Sequence, residues 1–236
     1  MASQNRKPVL LSWMAKEKGW ATNVMMALAV FLMTTAGCQS NKAPFEDTLP
    51  FYADGDFTPQ WIDQDSHAYQ NMHTIAPFTF TNQDGETVTE KTFEGKIYVA
   101  DFFFATCPGI CPTMTRNMGK VQDALKNDDD VLILSHSVTP ETDTVPVLKH
   151  YANENGITSG KWHLVTGERK AIYSLARTSY FAEEDLGLPV NENDFLHTEN
   201  MLLIDKQRHI RGIYKGTFRA EMTRLMEDIQ ILKTEG

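Results

Sequence analysis

Between Lys96 and Phe104 the chain reads Lys-Ile-Tyr-Val-Ala-Asp-Phe-Phe-Phe, and three residues later it meets Cys107-Pro-Gly-Ile-Cys111-Pro. So continuous an apolar run predicts a strand covered on both faces, which requires a sheet sandwiched between helices. Beyond the cysteines, Met114, Met118, Val121 and Leu125 recur at helical spacing up to about Lys126. The thiols therefore fall at a strand-to-helix junction. Pro108-Gly109 supplies the turn between them, and Pro112 suits the first helical position, where a missing amide donor costs nothing. A helix N-terminus favours thiolate over thiol. Thiolate is both the nucleophile of disulfide exchange and a soft metal ligand, so the motif supports two chemistries.

The remaining pattern alternates. Ile75 to Thr81 and Thr87 to Thr89 read as a hairpin around Asn82-Gln83-Asp84-Gly85-Glu86. Val131–Val138 is a second buried strand, and Asp143 or Thr144 can cap a helix that runs toward Asn155 and stops at Gly156. Trp162–Val165 precedes a helix near Glu168–Thr178. Asn200–Asp205 and Ile210–Lys215 form a strand pair, and Ala220–Lys233 closes the chain as a helix. The expected fold is α/β and thioredoxin-like: a central mixed β-sheet flanked by helices, with an N-terminal β-hairpin extension and the cysteines at the strands' carboxyl edge.

Upstream, a basic segment leads into the apolar run 21–37, and Cys38-Gln-Ser-Asn-Lys follows at once. This is the outline of a secretory signal ending in a lipobox, with Cys38 as the lipidated residue, although Thr35 stands where that pattern usually has Leu. Uncleaved, the same run is at the short limit of a membrane-spanning helix. Either way the expectation is an anchor over 1–38, a Pro- and aromatic-rich tether over 39–72, and a folded domain over 73–236 on the extracytoplasmic, periplasmic side of a bacterial cell. The net charge of −9 argues against nucleic acid as a partner. Of the three cysteines, Cys38 is then spent on the anchor, leaving Cys107 and Cys111 as a pair in an oxidising compartment. A disulfide closing so short a loop would constrain little of the unfolded chain, so a purely structural bridge is a poor use of them.

Three motifs occur in order: Asp101 to Met114 with its Cys-Pro-Gly-Ile-Cys-Pro, Ser137-Val-Thr-Pro-Glu-Thr-Asp-Thr144, and Phe195-Leu-His-Thr198 ahead of Met201-Leu-Leu-Ile-Asp205. Together they resemble the Sco/SenC family of copper chaperones, over roughly Thr74 to the C-terminus. The resemblance implies a membrane-tethered domain that binds copper, as Cu(I) or Cu(II), through Cys107, Cys111 and His197. It further implies delivery to the copper-containing subunit of cytochrome c oxidase for assembly of the binuclear centre, with other copper chaperones or thioredoxin-like reductants as further partners. Thr139 departs from the family pattern, which usually has Asp within Ser-x-Asp-Pro.

The chemistry of the residues is compatible with that implication. Two soft thiolates and an imidazole make an S₂N set suited to Cu(I); one further ligand would suit zinc. A thioredoxin-like reductase normally carries Cys-x-x-Cys and a proline ahead of the penultimate strand pair, whereas here the spacing is one residue longer and His197 occupies the proline's segment. The alternative enzymatic reading is thiol-disulfide reduction of the oxidase subunit's cysteines, with Cys107 and Cys111 as the redox pair and Cys107 as the attacking thiol. A peroxidase is disfavoured, since the Pro-x-x-x-Thr-x-x-Cys pattern is missing before Cys107. His136, His163 and His209 read as structural or exposed, His67 and His73 lie in or near the tether, and the helically spaced Met114, Met118, Met222 and Met226 read as core rather than copper-binding thioethers.

Overall fold

The computed structural model describes residues 48–182 and 198–235. The anchor segment with Cys38, the start of the tether, and His197 lie outside the described residues. Among the described residues no helix is long and apolar enough to cross a membrane.

In chain order the elements are α1 (His67–Gln70), β1 (Thr79–Asn82), β2 (Thr87–Thr89), a 3₁₀ turn (Glu90–Phe93), β3 (Ile97–Phe103), α2 (Cys111–Ala124), β4 (Val131–Ser137), α3 (Val145–Glu154), β5 (Trp162–Thr166), α4 (Arg169–Thr178), β6 (Asn200–Ile204), β7 (Ile210–Lys215) and α5 (Arg219–Glu235). Seven strands form one sheet in the order β2-β1-β5-β4-β3-β6-β7. The central β5, β4 and β3 are parallel, while β1, β2, β6 and β7 run antiparallel to their neighbours. This is the thioredoxin-like fold with its β-hairpin at one edge, as the alternation of strands and helices predicts.

Every residue of β3 is buried, because helices cover both faces of the sheet. Ile97, Val99 and Phe103 face α2, α3 and α5, where Met114, Met118, Val121, Leu148, Leu225 and Ile229 complete one core layer. Tyr98, Ala100 and Phe102 face α4, packing with Ile172, Tyr173 and Ala176. Met114, Met118 and Met222 are buried in the first layer and Met226 packs at its edge, so their spacing is that of core residues. Gly85, with φ of 77°, closes the β1–β2 hairpin in a conformation that side-chain-bearing residues rarely adopt.

Strand direction fixes two poles. β3 ends at Phe103 and delivers the chain to the cysteines. β6 lies antiparallel to it, pairing Tyr98 with Ile204 and Ala100 with Leu202, so the β6–β7 turn sits at the opposite end. With about 3.3 Å per residue, the strand separates these poles by roughly 20 Å. At the far pole Arg211 is buried and gathers the described N-terminal segment: its guanidinium donates to Leu49 O (2.6 Å), Pro50 O (3.1 Å), Asp205 Oδ2 (3.2 Å) and Glu235 Oε2 (2.6 Å). It also lies 3.9 Å from the Phe51 ring centroid. Five partners satisfy this cation, so its burial is tolerated.

Candidate metal and redox site

Cys111 is the first residue of α2, with Ile110 as the N-cap; Pro112 therefore takes the second helical position rather than the first, where its missing N–H is equally harmless. Ile110 O accepts the N–H groups of Thr113 (2.9 Å) and Met114 (3.1 Å), which starts the helix. Cys107 lies on the loop before it, its own N–H returning to Phe104 O (3.2 Å). Both cysteines are free thiols; Cys111 is 5 % exposed and Cys107 half-buried.

The two sulfurs are electrostatically unlike. Burial alone would raise Cys107, but the hydrogen bond from the Cys111 thiol and those from the backbone N–H groups of Cys111, Gly109 and Ile110 outweigh it, holding Cys107 below the ordinary thiol range. Burial, followed by the proton held toward Cys107, pushes Cys111 up to about 12. Cys107 is therefore the more acidic of the two thiols, and Cys111 the donor of the hydrogen bond between them. The Phe104 N–H is directed at the Cys111 sulfur.

A third group, buried beside the loop, is Asp143. Its Oδ2 accepts the Ala105 N–H (3.2 Å), the Ser137 hydroxyl (2.6 Å) and the Thr139 hydroxyl (3.0 Å). Asp143 is fully buried and its other oxygen, Oδ1, meets no donor among the described residues. Of the two caps the sequence offers for α3, Asp143 and Thr144, the structure uses Thr144. Thr144 takes the N-cap position, without a side-chain bond, because the turn Thr142 N–H and Asp143 N–H to Thr139 O swings Asp143 inward. From sequence alone an Asp ahead of an amphipathic helix reads as a cap; the only clue to its inward role was the hydroxyl-rich Ser137-Val-Thr139 preceding it. Thr139, where the resemblance would place Asp, here supplies a donor to Asp143. Glu141 instead approaches Arg169 at 3.7 Å on the surface.

Beneath α2, on the same sheet face as the cysteines, Asp101 is buried and accepts from the Ser135 hydroxyl, whose oxygen accepts from Trp162 Nε1 (2.8 Å). Burial pushes Asp101 up to about 6, only partly offset by the Ser135 bond. On the opposite face His136 is enclosed by Phe78, Phe80, Phe102 and Tyr180, and neither ring nitrogen is bonded among the described residues. His163 and His209 are buried too, the latter against Asp205 at 3.2 Å, while His73 Nε2 lies 2.8 Å from Ser179 O. Among the described residues no group of three metal-ligating side chains converges. The structure thus brings Cys107 and Cys111 together.

Residues 66–232 match the SCO1/SenC family. Among solved structures the chain is similar to a SCO1/SenC family lipoprotein from Bacillus anthracis, with 29 % identity and a TM-score of 0.60, over 68 % of this chain and 95 % of that one. It is similar to BsSco, described as a member of the Sco family of cytochrome c oxidase assembly proteins with a disulfide switch, at 30 % identity and a TM-score of 0.59 over 69 % of this chain and 94 % of that one. Bradyrhizobium japonicum ScoI, solved with copper bound, aligns at 26 % identity and a TM-score of 0.52 over 65 % of this chain and 98 % of its own. With the family match spanning residues 66–232, most of the chain, this protein belongs to the SCO1/SenC family.

Proposed function

We propose that this chain is a membrane-tethered copper metallochaperone that holds Cu(I) through Cys107, Cys111 and His197 and delivers it to the copper-containing subunit of cytochrome c oxidase. The observation that carries this reading is the thiol pair itself. Backbone amides at the start of α2 lower the pKa of one sulfur, the other lies four residues on at the first helical position, and the two thiols are hydrogen-bonded to each other. Two thiolates select a soft monovalent ion, and an imidazole as third ligand leaves copper three-coordinate, tight enough to hold and open enough to pass on. Copper bound to the Bradyrhizobium relative and the oxidase-assembly description of BsSco support the same assignment. Anchoring through a lipidated Cys38, or through an uncleaved apolar run 21–37, places the domain on the extracytoplasmic side in this reading.

The test is transfer. Reduced protein loaded with one equivalent of Cu(I) is mixed in at least twofold excess with the apo copper-binding domain of the oxidase subunit, ferricyanide then removes the one electron that turns the colourless Cu(I) pair into the absorbing mixed-valence centre, and that absorption is followed. The wild type is expected to build the centre and Cys107→Ser to fail; equal transfer by the two proteins contradicts the reading.

The inequality of the thiols favours a second activity on the same loop. A reactive Cys107 with a buried, protonated Cys111 behind it is the arrangement of an attacking and a resolving thiol. Reduction of a partner's disulfide would proceed by attack of Cys107 and release of the mixed disulfide by Cys111. A mixed disulfide accumulating with Cys111→Ser, and unaffected by His197→Ala, supports it; no trapped species excludes it.

A further inference from the structure

The dithiol and disulfide states require different loop geometries. A disulfide needs sulfurs about 2.05 Å apart, well inside the hydrogen-bonded separation of the free pair. Cys111 belongs to α2, which is fixed to the core through Met114, Met118 and Val121, so Cys107 and its loop must make the journey. That loop is held at two consecutive amides: the Phe104 N–H by the Cys111 sulfur, and the Ala105 N–H by Asp143 Oδ2 at 3.2 Å. Asp143 is in turn tied to the sheet. It is fully buried, bonded by the Ser137 and Thr139 hydroxyls, and Ser137 ends β4, whose ladder with β3 continues through Val138 N–H to Phe103 O at 2.9 Å. On the other side of that ladder the Tyr173 hydroxyl donates to Val138 O at 2.8 Å.

We infer that Asp143 is a positioning residue that locks the cysteine loop in its open dithiol geometry and so biases the pair toward the metal-ready state and against disulfide closure. A buried carboxyl group that accepts three hydrogen bonds on one oxygen makes a stiff brace, and a swing of Cys107 toward Cys111 pulls on the Ala105 end of it. The bias lies two residues from Cys107 and one from the amide that contacts the Cys111 sulfur. It acts on both chemistries of the site, and only its copper consequence rests on the function proposed above.

The experiment equilibrates the full-length protein, in detergent, with glutathione buffers. Each oxidised glutathione takes two electrons and two protons from the protein dithiol, yielding one protein disulfide and two reduced glutathiones. Asp143→Ala is expected to shift this equilibrium toward the disulfide by about threefold or more, and to weaken Cu(I) affinity about tenfold, the usual scale for loss of a ligand-orienting partner. A folded Asp143→Ala with an equilibrium within twofold of wild type, or shifted toward the dithiol, overturns the inference. Should that variant fail to fold, Thr139→Val removes one donor and is expected to shift the equilibrium in the same direction. Hydrogen exchange of the wild type decides independently. The Ala105 amide should be protected in the dithiol and exchange faster in the disulfide, and equal protection in both states contradicts the brace. If the wild type binds no Cu(I), the proposed function falls while the glutathione and exchange measurements still judge Asp143.

Discussion

Alkylation at neutral pH should strike one cysteine and spare the other. An ordinary thiol near 9.0 is about 1 % thiolate at pH 7; Cys107 is held below that value and exceeds this fraction. Cys111, at about 12, carries roughly one thiolate in 100,000. The ratio of thiolate populations is therefore at least about 1,000. The more basic thiolate is intrinsically the better nucleophile, and a Brønsted slope of about 0.4–0.5 over three units returns roughly 30-fold to Cys111. Cys107 is left ahead by about 30-fold or more before the near-complete burial of Cys111 is counted. The assay is a time course with substoichiometric iodoacetamide on the reduced protein, quenched and read by peptide mass spectrometry. Replacing the internal donor by Cys111→Ala should raise the Cys107 pKa and slow its alkylation at pH 7 by about threefold or more, while leaving the rate at high pH nearly unchanged. Equal labelling of the two cysteines, or a Cys111→Ala rate equal to wild type at pH 7, refutes the reasoning.

Three further outcomes follow from groups the site does not use. His136 is pushed down to about 3 by burial, so its neutral form is what the fold accepts; the unfolded chain protonates first as pH falls below about 6.5, and stability drops by up to roughly 1.4 kcal/mol per unit between there and about 3. His136→Phe should therefore raise Tm at pH 5 relative to wild type far more than at pH 8. Asp101 is shifted the other way, to about 6 in the fold, so its ionisation costs stability as pH rises from about 4 to 6; Asp101→Asn should raise Tm at pH 7 and leave it little changed at pH 4, as thermal denaturation would show. Arg211→Ala strands Asp205 and Glu235 and frees Leu49 and Pro50, costing on the order of 3–5 kcal/mol and opening the segment near Phe51 to limited proteolysis.

What could be read from the sequence is what local pattern alone dictates. The unbroken apolar run of β3 declares two covered faces, the hairpin declares itself by its Asn82-to-Glu86 turn, and helical spacing removes Met114, Met118 and Met222 from the list of copper ligands. The cysteine pair is legible because strand, turn and helix signals converge on it. What escapes is set by tertiary contact. Asp143 carries the sequence signature of a helix cap, and only the inward turn at Thr139 makes it the brace of a loop 38 residues upstream. Arg211 falls in a strand the sequence predicts, but its burial comes from residues 49 to 51, distant in sequence, which close over it. Asp101 sits in the strand that names the site, yet nothing local says that Ser135 of the next strand satisfies it. His136 alternates like its neighbours, and its cage is assembled from Phe78 and Phe80 ahead of β3, Phe102 within it and Tyr180 beyond α4.

The central claim is the three-ligand copper site, and it is tested most directly by Cu(I) stoichiometry and affinity of the reduced protein, measured by competition with a chromophoric chelator for wild type, His197→Ala and the Cys107→Ser, Cys111→Ser double variant. The account predicts one tightly held Cu(I) in the wild type, affinity lowered at least about tenfold without the imidazole, and no tight site without the thiols. Binding that ignores His197, or that survives loss of both cysteines, contradicts it.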